Sequence, residues 1–146
     1  MNRRLILQSV AAAATATFLV AASAQQPGTP APKRHKLVLQ VSDADPGKWN
    51  LALNNAKNVQ KDLGAANVDV EIVAYGPGIG MLKLDSTVAS RVTEASHAGV
   101  KMLACENTMH GQKLTKDDMN AAIGYVPAGV TEIMVKQSEG WSYVRP

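Results

Sequence analysis

Apolar residues along this chain recur at two alternating spacings. Residues 36–41, 68–75, 100–104, 123–127 and 141–144 are short stretches rich in Val, Ile, Leu and aromatic side chains, which is the pattern of β-strands. Between them the spacing lengthens to three and four. Trp49, Ala52, Leu53, Ala56, Val59 and Leu63 form one stripe of a helix predicted over 46–63, with Asp45-Pro46 at its start and Gly64 at its end. Val88, Val92 and Ala95 form a second stripe, preceded by Asp85-Ser86 and stopped at Gly99. Val130, Ile133, Met134 and Gln137 are expected on the inner face of a last helix that ends at Gly140. Glu106 to Gly111 reads as one helical turn, and Thr115 to Asp118 as the capped start of another helix.

Strands alternating with helices are what a parallel sheet with helical crossovers produces. The expectation is an α/β domain: one parallel sheet of about five strands flanked by helices in a three-layer, flavodoxin-like arrangement. No internal repeat is visible.

The first 34 residues do not share this pattern. Arg3 and Arg4 precede an alanine-rich apolar run through Phe18, Leu19 and Val20, which closes on Ala22-Ser23-Ala24. Basic flank, apolar run and small-x-small ending make residues 1–24 an expected signal peptide. The run is shorter than the roughly 20 apolar residues that span a bilayer, so no membrane anchor is expected after cleavage. The paired arginines fit a twin-arginine signal, and the rest fits the general export route equally. Residues 25–34, rich in Pro and Gln, read as a disordered leader, and 35–146 as the domain.

Export changes the meaning of the composition. The full chain of 146 residues has 15 Lys and Arg against 12 Asp and Glu, a net charge of +3. Arg3 and Arg4 leave with the signal, so the mature chain is close to neutral, and composition gives no reason to expect nucleic acid as a partner. A single cysteine, Cys105, rules out an internal disulfide.

In an open parallel sheet, ligands bind beyond the carboxyl ends of the strands. Cys105 falls at such an end. A thiol at the start of a helical turn faces unpaired backbone N–H groups that favour the thiolate. The alternative is a small apolar residue finishing a buried strand. His110, five residues on, is a possible support for the thiol. Asn107 and Thr108 follow Cys105 and are expected to line a pocket with Gly76, Gly78 and Gly80, where glycine lets backbone approach closely. This glycine run lacks both the dinucleotide fingerprint and the Gly-Lys-Ser/Thr ending of a phosphate loop. His35, His97 and His110 lack the paired spacing of a zinc site, and neither metal nor cofactor is expected. Asn54, Asn55 and Asn58 lie off the buried stripe of the first helix, on a solvated or interface face.

Four segments in order, DPGKWNLALNNAKNVQKDLG, VEIVAYGPGI, HAGVKMLACENTMHGQKL and YVPAGVTEIMVKQSEGWSYVRP, resemble the DsrE/DsrF-like family of sulfur-relay proteins, in particular its small exported members. The resemblance spans residues 36–146. It implies a helix-flanked parallel sheet and a homo-oligomer, trimer or hexamer. It also implies a cysteine that carries sulfur as a persulfide and passes it to a partner, the position that Cys105 matches. The resulting expectation is a periplasmic, thiol-based sulfur carrier or sulfurtransferase-like protein exchanging sulfur with a protein or a small sulfur species. The alternative is a non-enzymatic oligomeric binding module in which Cys105 is structural.

Overall fold

The computed structural model describes residues 34–146. The expected signal peptide and all but the last residue of the leader lie outside the described residues. The chain runs β1 (His35–Val41), α1 (Pro46–Leu63), β2 (Val68–Ala74), α2 (Ala89–His97), β3 (Lys101–Cys105), α3 (Glu106–Gly111), β4 (Gly124–Val126), α4 (Gly129–Ser138) and β5 (Ser142–Val144). The five strands pair in the order β4-β3-β2-β1-β5, and every pairing is parallel.

This order divides the helices between the two faces of the sheet. From β1 to β4 each crossover moves one strand in the same direction, and right-handed connections then place α1, α2 and α3 on one face. The return from β4 to β5, on the far side of β1, carries α4 over the other face. The core divides accordingly. Leu39, Val70, Ile72 and Met102 pack with Trp49, Ala52, Leu53, Ala56, Val92 and Met109 on the first face. Val38 and Val73 pack with Val126 and Ile133 under α4.

Local chemistry explains the main boundaries. The Asp45 carboxylate accepts the Gly47 N–H at 2.8 Å and Pro46 occupies the first turn, so α1 starts at 46; Gly64 ends it. Continuously buried Val70 to Ala74 makes β2 a central strand, its only charged side chain within that run being Glu71, 1 % exposed. Among the described residues no helix is long and apolar enough to cross a membrane.

The structure departs from the sequence pattern in three places. Residues 76–82 form a mostly buried 3-10 helix, not a brief glycine turn, and sink Ile79, Met81 and Leu82 into the core. The capping box at Thr115 and Asp118 forms, yet only one 3-10 turn follows. Met119 pairs with Lys83 in an antiparallel bridge, and the Asn120 N–H bonds the Leu82 carbonyl, so tertiary pairing overrides the helix signal. On α4, Val130 and Met134 face outward, 53 % and 63 % exposed, and Gln137 is exposed too. Only Ile133 of the four expected inner residues is buried. Gly129 sets the rotation of α4 by lying against the sheet, which turns Glu132, Ile133 and Lys136 inward instead.

The turn after β2 depends on a backbone approach. A Cβ on Gly78 would sit 2.3 Å from the Val41 carbonyl oxygen and 2.8 Å from the Ser42 nitrogen, neither of which can give way. Gly78→Ala should therefore destabilise the domain by about 3 kcal/mol, the upper range for overpacking. Gly111→Ala, whose Cβ would meet nothing within 4 Å, should gain up to about 1 kcal/mol from helix propensity. Urea unfolding of the two variants checks the opposite signs.

Candidate functional site

Adjacent β3 and β4 end level, with Cys105 opposite Val126. The chain then leaves β3 for the first face, through α3, and leaves β4 for the second face, through α4. Neighbouring strands whose outgoing helices diverge make the crevice in which open α/β sheets bind ligands. Cys105 lies at that crevice.

The start of α4 reaches the thiol because residue 129 has no side chain. A Cβ there would lie 3.1 Å from Tyr75 Cβ, 3.2 Å from its Cδ1 and 3.2 Å from Val73 Cγ1, closer than those atoms comfortably allow. Glycine lets the first turn of α4 rest on β2, and its N–H then faces Cys105. Sequence reasoning missed this residue. Its signal was the Pro127-Ala128-Gly129 step between a strand and a helix.

On the other side stands Thr108. Its Oγ1 accepts the Gly76 N–H at 2.9 Å, which leaves the hydroxyl hydrogen free to point at Cys105. Gln112, just past α3, donates its Nε2 to the Gly76 carbonyl at 3.1 Å, so the turn after β2 is held to α3 and its C-terminal cap through both backbone groups of one residue. The Asn107 N–H bonds the Pro127 carbonyl at 3.1 Å and ties the starts of α3 and α4 together.

These neighbours decide the ionisation of Cys105. Burial, with the residue 5 % exposed, is the largest single influence and pushes the thiol pKa up. The Thr108 hydroxyl and the N–H groups of Gly129, Thr108 and Asn107 together outweigh it and hold the pKa below its ordinary value. The thiol makes no cap hydrogen bond of conventional geometry to α3. The donors act by surrounding sulfur with positive dipole ends, the environment that favours a thiolate.

The other expected site residues separate into distinct roles. Thr108 and the Asn107 backbone join Cys105, whereas the Asn107 side chain faces solvent. Gly76 reaches the site only through Thr108. Gly78 packs on the backbone at the end of β1, and a Cβ on Gly80 would touch the Trp49 ring at 3.1 Å, so both serve the packing of the 3-10 helix. His110 is exposed at the end of α3, and no hydrogen bond joins it to Cys105 among the described residues. Asn54, with Asn50, receives the Arg91 guanidinium, which links α1 to α2. Among the described residues no three of His, Cys, Asp and Glu gather to hold a metal ion. A cavity of about 960 Å³ lies at the opposite end of the sheet, beside Arg34, His35, Val68 and Ser142 where β1, β2 and β5 begin, and does not include Cys105.

Thr108→Val keeps the shape and removes the donor. The thiolate-to-thiol ratio of Cys105 near neutral pH should fall about threefold to tenfold, half to one pKa unit, and Thr108→Ser should preserve it. Ultraviolet thiolate absorbance, read against a Cys105→Ser background, measures both.

Comparisons with known proteins agree with this architecture. No curated protein matches the chain. The solved structure of MTH1491, a protein of unknown function from Methanobacterium thermoautotrophicum, is 33% identical, with a TM-score of 0.73 over 77% of this chain and 99% of that one. A conserved protein of unknown function from Bacteroides thetaiotaomicron, BT1422, is 15% identical with a TM-score of 0.59 over 76% of this chain and 94% of its own, a likeness of fold alone. The model of the DsrE/DsrF-like family matches residues 35–146. A family match across residues 35–146, together with a solved structure 33% identical over nearly its full length, means that this chain belongs to the DsrE/DsrF-like family.

Proposed function

We propose that this protein is a periplasmic sulfur carrier in which Cys105 takes up a sulfane sulfur as a persulfide and hands it to an acceptor thiol. The observation that carries the reading is the convergence of the α3 and α4 amides and the Thr108 hydroxyl on one thiol at the strand-end crevice. Membership of the DsrE/DsrF-like family supports it, and the signal-like residues 1–24 support the compartment.

The chemistry needs a nucleophilic thiolate that is also a good leaving group. The Cys105 thiolate attacks the outer sulfur of a polysulfide or of thiosulfate. A new S–S bond forms, and the shortened polysulfide or sulfite departs with the electron pair of the broken S–S bond. An acceptor thiolate then attacks the outer sulfur of the protonated persulfide. The S–S bond to Cys105 breaks, the sulfur leaves with its proton on the acceptor, and Cys105 returns as thiolate. A lowered thiol pKa speeds this second step, because the leaving group departs more readily.

Self-association into a trimer or hexamer belongs to the same proposal. The outward Val130 and Met134, one turn apart on α4, support it as an apolar pair that covering would remove from water. Met134→Glu should shift the sedimenting species toward monomer; an unchanged oligomer, or a wild type that is already monomeric, rejects this part.

The low exposure of Cys105 favours a second reading, a binding module with a packed thiol. Mass spectrometry separates the two. After treatment with polysulfide or thiosulfate, the Cys105 peptide should gain the mass of sulfur, and Cys105→Ser should gain none. A wild-type protein that takes up sulfur from neither donor, and whose thiol labels only on unfolding, is the binding module.

A further inference from the structure

Beneath α4 lies a charged cluster that the sulfur chemistry does not use. Glu71 projects from the central strand β2 with 1 % of its side chain exposed, and its Oε1 has no hydrogen-bond partner among the described residues. Its Oε2 lies 3.8 Å from Lys136 Nζ. That ammonium also serves Glu132 at 3.3 Å and Glu139 at 3.8 Å, and it sits 4.9 Å from the centre of the Trp141 ring. Lys101 is opposite Glu71 in the register of β3, and Val38 opposite it on β1. Lys36 of β1 also lies over the Trp141 ring, 6.0 Å from its centre. One inward-facing lysine thus meets three carboxylates, one of them buried.

Glu132 and Gly129 share the first turn of α4. Whatever acts on Glu132 acts on the residue whose N–H faces Cys105. We propose that Glu71 is a proton-sensitive anchor for α4, and that through Gly129 it regulates the thiolate character of Cys105. The inference rests on Cys105 being the reactive group of the preceding proposal.

With Glu71 protonated, its carboxyl can donate to the Glu132 carboxylate, and Lys136 balances Glu132 and Glu139. The first turn of α4 is then drawn onto the sheet. With Glu71 ionised, two carboxylates repel across that contact, Lys136 must serve both, and Oε1 stays buried without a donor. The repulsion falls on the first turn, which slackens the approach of the Gly129 N–H to sulfur.

The position of the equilibrium supports the device. Burial raises the Glu71 pKa to about 7; Lys136 and Lys101 oppose the rise and Glu132 adds to it. The folded carboxyl therefore keeps its proton where an unfolded glutamate, near 4.5, has lost it. Stability should decline as pH rises from about 4.5 to about 7, because the native state binds the extra proton in that window.

Glu71→Gln fixes the uncharged state with little change of shape. Thiolate absorbance, taken as the difference from the matching Cys105→Ser protein, should give a thiolate-to-thiol ratio at pH 8 about threefold higher than in wild type, equivalent to half a pKa unit. The decline of stability between pH 4.5 and 7, followed by urea unfolding, should flatten in the same variant. Glu132→Gln, which removes the repulsion from the other side, should raise the ratio in the same direction and serves if Glu71→Gln does not fold. Unchanged thiolate ratios in the variants that fold, or a stability slope that Glu71→Gln leaves intact, overturn the proposal. No sulfur donor enters these measurements, so failure of persulfide uptake and failure of the anchor are separate results.

Discussion

The site depends on the close seating of one helix start upon one strand. Among the described residues α4 is the helix that covers the second face of the sheet, and its first residue rests on Tyr75 and Val73 at distances that only a glycine permits. That contact fixes how far α4 descends, which of its side chains turn inward, and how near its first N–H comes to Cys105. The two ends of α4 are thereby put to different uses, one facing a thiol and the other holding a lysine among carboxylates.

This dependence explains what was legible in the sequence. Strand-to-helix alternation is a local property, and α1, bounded by Asp45-Pro46 and Gly64, could be placed at both ends from caps and periodicity alone. Cys105 could be placed at a strand end for the same reason. The rotation of α4 could not. Val130, Ile133 and Met134 share a helical stripe, but a lone glycine packed on the sheet outweighs that stripe and leaves two of the three facing outward. Where long-range packing decides orientation, local periodicity names the element and misassigns its face.

The glycines show the same limit in another form. Gly76, Gly78 and Gly80 suggested a loop around a ligand, and glycine does mark close approach at two of them. What approaches Gly78 is the backbone at the end of β1, and what approaches Gly80 is an indole. Sequence reveals that space is scarce at such a position without revealing who occupies it. Thr108 carries the reverse lesson. An unremarkable threonine becomes a directed donor only because the Gly76 N–H, distant along the chain, takes up its acceptor face.

The double tie of Gly76 to α3 has a mechanical consequence. Its N–H and its carbonyl are both held, by Thr108 within α3 and by Gln112 just past its end, so the turn after β2 and the whole of α3 form one stiff wall beside the thiol. The opposite wall is α4, seated by a glycine, one buried isoleucine and a crowded set of charges, with no equivalent pair of side-chain clamps among the described residues. Local opening follows the least-fastened unit. Of the two walls beside Cys105, α4 is therefore the one that yields first, while the stretch tied through Gly76 stays standing.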